Sequence, residues 1–284
     1  MPDYGHDLMF GANVIPSSQD PAATVGLAQL ADRAGLDIIT FQDHPYQPAF
    51  LDTWTLLSYV AARTRTARLA GNVHPVPLRQ PAVLARSAAS LDLLSGGRFE
   101  LGLGTGSFWD AIEAMGGPRR SPGEAVTALE EAVRIIREIW DTDTKGGVRV
   151  LGDHYQVNGA KRGPRPAHEI GIWLGAYRPR MLRLTGRLAD GWLPSLGYLK
   201  GDQFTRAAEI IDQSAETAGR LPGDIKRLLN IVPDTPIDQM VDLALEHGFS
   251  TFLLMTDDPG LVQRFAEDAS PAVRERVEKE RDAR

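Results

Sequence analysis

The stretch Ala31-Asp32-Arg33-Ala34-Gly35-Leu36-Asp37-Ile38-Ile39-Thr40-Phe41 decides the fold. In it a helical run stops at a glycine, and a short apolar, β-branched run follows within two residues. The same pattern returns near the other end of the chain in Ala244-Leu245-Glu246-His247-Gly248-Phe249-Ser250-Thr251-Phe252-Leu253-Leu254. Glycine is the usual residue in a left-handed C-terminal helix cap, and the run after it is typical of a buried parallel strand. Both ends of the chain therefore contain half of a βα repeat.

Apolar runs alternate with helical stretches along the chain and predict eight strands. They are residues 8–14, 37–41, 67–73, 98–103, 171–174, 191–193, 228–232 and 251–254. Strand and helix alternation requires crossover connections, and eight strands close such a sheet into a (β/α)8 TIM barrel. A doubly wound open sheet is the alternative, but Gly11-Ala12-Asn13-Val14 does not supply its Gly-x-Gly-x-x-Gly fingerprint. The sequence predicts an α/β fold, a single barrel domain over residues 1–284.

One segment, residues 146–168, breaks this alternation. We interpret it as a hairpin-bearing excursion after the fourth helix, with strand residues Val148, Val150, Tyr155 and Val157. The helix before it begins at Ser121-Pro122-Gly123-Glu124, which is a capping box with proline at the first helical position.

Composition and charge disfavour several classes of function. The formal net charge of -6 argues against a general nucleic-acid surface, and the absence of cysteine removes disulfides, thiolate catalysis and zinc-thiolate sites. The N-terminus lacks the basic start and long apolar run of a signal peptide, and no segment approaches the roughly 20 apolar residues of a membrane helix. We expect a cytoplasmic protein that binds a small molecule, and neither nucleic acid nor a membrane.

The loop after the second predicted strand is the first place to look for chemistry, because barrel enzymes carry reactive groups on the loops that follow the strands. Asp43 and His44 lie there, followed by Tyr46, which stands between Pro45 and Pro48. A fixed imidazole can donate a hydrogen bond or a proton near neutral pH, so both residues are candidate catalytic groups. The alternative is that they satisfy backbone groups of a turn.

Two glycine-containing loops are candidate anion sites. Gly104, Thr105, Gly106 and Ser107 follow the fourth strand and allow backbone N–H groups to approach a phosphate closely. Another set opens a helix, whose N-terminal dipole favours an anion. That set is Gly175, Ala176, Tyr177 and Arg178. The alternatives are an ordinary strand turn for the first loop and a solvated surface charge for Arg178.

A metal-dependent barrel hydrolase is a rival interpretation, which would use His44, Asp43 and His74. Such sites need several ligands from different strand ends, and His-x-His after the first strand is absent. We therefore predict no metal. His74 precedes Pro75 and Pro77 with no adjacent acid in the sequence, and we interpret it as a structural or rim residue.

Four segments carry a resemblance to a known family: Asp43-His44, residues 72–85 from Asn72-Val73 to Pro81-Ala82-Val83-Leu84-Ala85, Gly96-Gly97-Arg98-Phe99-Glu100-Leu101-Gly102-Leu103-Gly104-Thr105-Gly106, and Thr185-Gly186-Arg187-Leu188-Ala189-Asp190-Gly191-Trp192. The chain resembles the luciferase-like monooxygenase superfamily, which includes coenzyme F420-dependent reductases and dehydrogenases and FMN-dependent monooxygenases. The resemblance runs from about the first strand to the final helix.

The resemblance implies a cofactor ring lying across the strand ends. Val73 would back the ring in a bulge, with a cis peptide between Asn72 and Val73, while Asp43 and His44 would face the reactive edge of the ring. The two glycine-containing loops would hold the phosphate and side chain. The implied cofactor is F420, favoured by the Asp-His pair, with FMN as the alternative. The implied function is hydride transfer, or oxygenation with FMN; a non-catalytic cofactor-binding protein is a second alternative.

This chain departs from the family pattern in three places. Ser107 stands where members that oxidise sugar phosphates have a glutamate, and Tyr46 and prolines stand where many F420-dependent members have a tryptophan. The segment 223–233, where a lid often covers the site in the family, is shorter here. The resemblance also implies a homodimer whose face would include Trp54, Leu57 and Leu91, with an intramolecular core as the alternative for those side chains.

Overall fold

A computed structural model describes residues 3–199 and 201–283 of the chain. Within these ranges the strands are β1 (Met9–Val14), β2 (Ile38–Phe41), β3 (Arg68–Gly71), β4 (His74–Pro75), β5 (Phe99–Gly104), β6 (Val148–Leu151), β7 (Gln156–Ala160), β8 (Ile172–Leu174), β9 (Gly191–Trp192), β10 (Lys226–Ile231) and β11 (Phe249–Met255). The principal helices are α1 (Pro21–Arg33), α2 (Thr53–Ala61), α3 (Pro81–Ser95), α4 (Trp109–Ala114), α5 (Pro122–Trp140), α6 (Pro179–Leu188), α7 (Gln203–Thr217), α8 (Ile237–His247), α9 (Pro259–Arg264) and α10 (Ser270–Asp282).

The parallel strands close into a barrel, which confirms the predicted fold. Their order is β3-β2-β1-β11-β10-β9-β8-β5-β4, and pairing of β3 with β5 closes the sheet. The carboxyl ends of all these strands meet at one rim, which we call the mouth.

The predicted third strand is interrupted at the mouth. Leu69 pairs with Phe99 in β5, whereas His74 pairs with Leu103, so the third strand contains one residue more than its partner between these pairs. The excess residue forms a bulge at Asn72-Val73, and the peptide bond between these two residues is cis, as the resemblance implied. The continuous strand predicted over residues 67–73 was therefore wrong at its end, because the bulge breaks the ladder.

The helix ends follow the predicted local signals. Gly96 and Gly248 have φ values of 73° and 70° and cap α3 and α8 in the left-handed conformation. At the start of α5 both hydrogen bonds of the Ser121 and Glu124 capping box are present.

The excursion is an antiparallel hairpin of β6 and β7, as predicted. It follows α5, the helix that succeeds the fourth barrel strand; the short α4 before it was not predicted. The Glu131 carboxylate on α5 anchors the hairpin by accepting hydrogen bonds from the backbone N–H groups of Asp153, His154 and Tyr155.

Two clusters of buried apolar side chains hold the barrel together. A small cluster that includes Ile38, Trp173 and Leu253 is separate from the larger core, which includes residues of both the strands and the helices. Leu57 and Leu91 belong to the larger core, with 0% and 4% of their surfaces exposed. Both are buried within the chain, so the alternative of an intramolecular core holds for these two side chains; Trp54 is only partly buried, and the dimer itself stays a prediction. Within the described ranges, no helix combines the length and apolar character needed to span a bilayer.

Candidate active site at the barrel mouth

His44 lies in a set of aromatic rings at the end of β2. Its imidazole is nearly parallel to the Tyr46 ring, at 5.4 Å between centroids, and to the Phe50 ring at 6.4 Å. The Phe108 ring, from the loop after β5, meets His44 edge-on at 5.5 Å. The His44 ring forms no hydrogen bond with any residue the structure describes. It therefore remains available to a ligand.

Asp43 has the opposite environment although it is the next residue. It is 0% exposed, and its carboxylate accepts a hydrogen bond from His74 Nδ1 at 2.6 Å. Arg79 donates to both carboxylate oxygens, at 3.1 Å from Nε and 2.9 Å from a terminal nitrogen. The same guanidinium also bonds Asp52, the N-cap of α2. Since both Asp43 oxygens are occupied inside the protein, this carboxylate does not reach the open mouth.

His74 is a buried partner of Asp43, in agreement with the predicted structural role. Because a carboxylate only accepts hydrogen bonds, Nδ1 of His74 carries the proton of the shared bond. Sequence separation hid this pair: the acid that the sequence analysis did not find beside His74 lies 31 residues away along the chain. The ring also packs against Trp54, at 5.1 Å between centroids.

Burial and neighbouring charged or hydrogen-bonding groups together set the protonation of the three ionisable groups in this loop. Burial lowers the pKa of the His44 imidazole, and the negative charge of Asp43 only partly offsets that effect. Burial raises the pKa of Tyr46 to about 12, with a further contribution from Asp43. Burial alone would raise the pKa of Asp43, but the hydrogen bond from His74 and the charge of Arg79 lower it overall. At neutral pH the loop therefore carries a neutral imidazole, a neutral phenol and a paired carboxylate.

Val73 packs across the ends of the next two strands. Its Cγ2 lies 2.8 Å from the position that a Cβ would take at Gly104, and 3.5 Å from that position at Gly175. A side chain at position 104 would overlap Val73, so glycine is needed there, whereas a Cβ at position 175 would only touch the valine. The Gly175 N–H also donates to Leu103 O at 3.2 Å, which joins the loops after β5 and β8. The predicted residues Val73, Gly104 and Gly175 are thus brought into one place.

The remaining residues of the first glycine loop line the mouth beside Val73. Thr105 and Gly106 are half-buried and Ser107 is exposed. Gly106 has a φ of 85°, and a Cβ there would lie 2.8 Å from Ile112 of α4. This position therefore requires glycine for its backbone conformation, and a side chain there would also displace the end of Ile112.

The second loop leads into α6, whose N-terminus has no side-chain cap. Ala176 is buried and its carbonyl accepts the Trp192 indole N–H, while the Tyr177 hydroxyl accepts the Ser195 N–H at 3.0 Å. Arg178 is the N-cap of α6, has no side-chain capping bond and is exposed. Its guanidinium forms no ion pair within residues 3–199 and 201–283. The first turn of α6 and this charge are therefore both available to an anion.

A hydrogen-bonded row of side chains crosses the mouth, and the sequence analysis missed most of it. Thr40 donates to Asn13 Oδ1 at 3.1 Å, and Asn72 Nδ2 donates to Thr40 at 3.3 Å and to Asn230 Oδ1 at 2.7 Å. Asn230 in turn donates to Asn72 Oδ1 at 3.2 Å and to the Ser195 hydroxyl at 3.1 Å. Only Asn72 was a predicted site residue. A usable signal existed, because Asn13, Thr40 and Asn230 are each the polar, penultimate residue of an otherwise largely apolar strand.

The metal-hydrolase alternative would need a set of metal ligands, and the described residues do not contain one. No group of three or more His, Asp or Glu side chains in this part of the chain is arranged to hold a metal ion. Asp43 and His74, two of the ligands which that alternative would use, hydrogen-bond to each other instead.

Comparison with known proteins shows which family the chain belongs to. Residues 6–234 match the family model described as luciferase-like monooxygenase. An F420-dependent glucose-6-phosphate dehydrogenase from Amycolatopsis mediterranei is 30% identical over 217 residues, which cover 74% of this chain and 64% of that relative. A phthiodiolone/phenolphthiodiolone dimycocerosates ketoreductase from Mycobacterium sp. (strain JLS) is 35% identical over 188 residues, covering 63% of this chain and 46% of that relative. The chain thus spans less than two thirds of the length of either relative.

Among solved structures, an F420-dependent secondary alcohol dehydrogenase in complex with an F420-acetone adduct has a TM-score of 0.83. The identity is 17%, and the superposition covers 94% of this chain and 99% of that one. This likeness shows a shared fold. Since the family model matches well over half of the sequence, the chain belongs to the luciferase-like monooxygenase family.

Proposed function

We propose that the chain is an F420-dependent oxidoreductase, which transfers hydride between the cofactor and a small organic substrate. The observation that carries this proposal is the position of Val73 across Gly104 and Gly175. The neutral imidazole of His44 is on the β2 side of this position, and the open start of α6 is on the β8 side. One ligand with a planar ring and an attached phosphate matches both sides, and the F420-dependent relatives support that choice.

The chain offers a place to each part of such a cofactor. Val73 would back the ring, and the Asn72-Asn230 row would provide donors and acceptors below it. The first-turn N–H groups of α6 and the charge of Arg178 suit a phosphate, because a helix N-terminus and a guanidinium both favour anions. When bound, F420 supplies or takes up a hydride.

His44 is the residue we assign to proton transfer. Because its pKa is lowered, the imidazole is neutral at pH 7 and can accept the proton of a substrate hydroxyl as the alcohol is oxidised. In the reverse direction the same nitrogen returns the proton to the oxygen of the reduced carbonyl. Asp43 is buried, so we assign it a positioning role: its bonds to His74 and Arg79 fix the start of the loop that carries His44.

Titration of the purified apo-protein with F420 and with FMN tests the cofactor. We expect F420 to bind more tightly and hydride transfer to proceed without oxygen consumption. FMN is the second candidate, since family members include monooxygenases. A preference for FMN together with oxygen consumption on reduction would reverse the assignment. Binding without turnover of any alcohol or carbonyl compound would instead support the non-catalytic alternative.

Assembly as a homodimer and location in the cytoplasm stay predictions. Of the side chains first considered for the dimer face, Leu57 and Leu91 are buried within the chain, so they offer no surface to a partner. Sedimentation velocity of the purified chain measures its oligomeric state directly.

A further inference from the structure

We propose that the substrate is an uncharged molecule with a planar ring beside the reacting carbon, such as an aryl-substituted secondary alcohol or its ketone. This inference rests on the proposed function, because it concerns the substrate side of the same mouth. The aromatic wall, which we define as His44, Tyr46, Phe50 and Phe108, carries the argument.

The aromatic wall has a shape that suits a flat ligand. His44, Tyr46 and Phe50 are nearly parallel, with interplanar angles of 17° and 10° to His44. Phe108 is tilted by 54° to Tyr46 at 5.7 Å and meets His44 at 66°. Aromatic pairs favour offset-stacked and edge-to-face arrangements of this kind. A planar ring in the mouth would therefore find both a ring face and a ring edge to pack against.

Phe108 exposes a large apolar surface to solvent beside His44. It belongs to the loop after β5 but contacts His44 after β2, and β3 lies between these two strands in the sheet. The contact thus spans the strand end that carries Val73. Phe108 is 55% exposed. Covering this ring surface with an apolar ligand would remove it from water and so contribute favourable binding free energy next to the candidate proton-transfer group.

The charges around the aromatic wall disfavour an anionic substrate. The cations in the loops that follow β2, β4 and β5 are Arg79, Arg119 and Arg120. Arg79 is paired with Asp43 and Asp52, and Arg119 with Asp110 and Glu113. Arg120 is largely buried, stacked on the Tyr155 ring and bonded to its hydroxyl. No guanidinium of these loops is left for a substrate phosphate, in contrast to Arg178 on the β8 side of the mouth.

The reaction balances without any charge on the substrate. In oxidation, the carbinol O–H proton passes to His44 and the hydride on the carbinol carbon passes to the oxidised cofactor, so the C–O bond becomes C=O. The alcohol loses two electrons and the cofactor gains them, and the proton on His44 is released to water. Reduction of the ketone reverses each transfer. Both substrate forms stay neutral, which matches a wall without free cations.

The test uses the full chain loaded with F420. We would measure kcat/KM for 1-phenylethanol, propan-2-ol and glucose 6-phosphate, and the Kd of acetophenone by isothermal titration calorimetry. We expect 1-phenylethanol to be the best of the three substrates and glucose 6-phosphate the worst. Phe108→Ala should weaken acetophenone binding about tenfold, since an aromatic contact and its buried area are lost. The Kd of F420 should not change in this variant.

Tyr59→Ala is the matched control, because Tyr59 is also a half-exposed ring but lies on α2 and contacts Arg63. Equal weakening by Tyr59→Ala and Phe108→Ala, or a preference for glucose 6-phosphate, overturns the substrate class while F420 binding leaves the proposed function intact. Failure of the chain to bind F420 overturns both proposals together.

Discussion

The two sides of the barrel mouth treat charge in opposite ways. On the β2 side, Asp43 and Arg79 neutralise each other below the rings, and His44 is held neutral by burial. On the β8 side, Arg178 is exposed without an ion pair in the described residues, at a helix start without a side-chain cap. A charge that is already paired inside the protein interacts weakly with a ligand, whereas an unpaired charge can bind one. In the functions proposed above, the first side carries proton transfer and an apolar substrate, and the second side carries the cofactor anion.

His44→Ala should have the largest effect on activity and would test this division most directly. Loss of a general acid or base lowers kcat by about 10² to 10⁴-fold. The Kd of F420 should change little, because the phosphate is assigned to the opposite side. Steady-state kinetics and an F420 fluorescence titration measure the two quantities. His154→Ala, on the hairpin, is the control and should leave both values unchanged.

The pH profile sharpens the same prediction. Because burial lowers the pKa of His44 from its ordinary value of 6.5, kcat/KM for alcohol oxidation should be constant from pH 7 to 8. It should fall only as the pH drops below that ordinary value, where the imidazole becomes protonated. An acid limb centred above pH 7 would contradict a desolvated imidazole, as would equal losses of kcat and F420 affinity in His44→Ala.

Asp43→Asn should have the largest effect on stability, since it leaves Arg79 without its buried counter-charge and His74 without the carboxylate that accepts its hydrogen bond. Removing one partner of a buried ion pair costs about 3 to 5 kcal/mol in the free energy of unfolding. Because the pKa of Asp43 is lowered in the folded chain, its stabilisation is present at neutral pH and is lost as the pH falls through that low value. The difference between the variant and the parent should therefore shrink in acid.

Urea unfolding at several pH values measures this difference. Asp238→Asn, which removes an exposed pair with Arg276, should cost less than about 1 kcal/mol and serves as the control. If the two variants lost the same stability, the charge on the β2 side would not be structural.

Gly104→Ala tests the junction between the two sides. The new Cβ would lie 2.8 Å from Val73 Cγ2, and overpacking of this kind costs about 1 to 3 kcal/mol. The double variant with Val73→Ala should recover much of the loss, which a double-mutant cycle measures as coupling. Gly26→Ala, with no atom within 4 Å of the added Cβ, is the control and should not destabilise the chain. If the two substitutions changed the free energy of unfolding additively, Val73 would not contact position 104 as the structure shows.

Arg178→Ala should have the smallest effect, an increase in the Kd of F420 of about tenfold, because a charge-assisted hydrogen bond at an exposed site is lost. The increase should be largest at low ionic strength. Arg183→Ala is the control, since Arg183 is exposed on the same helix. Equal effects of the two variants would show only a general influence of charge, and the β8 side would lose its assigned role.

The barrel could be predicted because its signals are local. Gly35, Gly248 and the apolar runs after them mark helix ends and strands within a few residues of sequence, and the eight strands follow. The bulge at Asn72-Val73 could not be found in this way, because it arises from a difference in pairing with β5 between Leu69 and His74. Register is a property of two strands together, so one strand's pattern does not contain it.

The candidate site was predictable to the level of its loops. The stretch from Asp43 to His44 and the two glycine-containing loops follow strands that the pattern identified, so their meeting at one rim follows from the barrel. The partners were not predictable: His74 is 31 residues from Asp43, and Asn230 is 158 residues from Asn72. Such contacts depend on closure of the sheet.

By itself the sequence determined the eight-strand alternation, the helix caps and the loops in which polar residues gather, because each depends on neighbours along the chain. Only the tertiary structure decided that Asp43 is buried while His44 meets aromatic rings, and that Leu57 and Leu91 are core residues. The physical reason is that burial and ion pairing depend on which distant side chains surround a group once the barrel has closed.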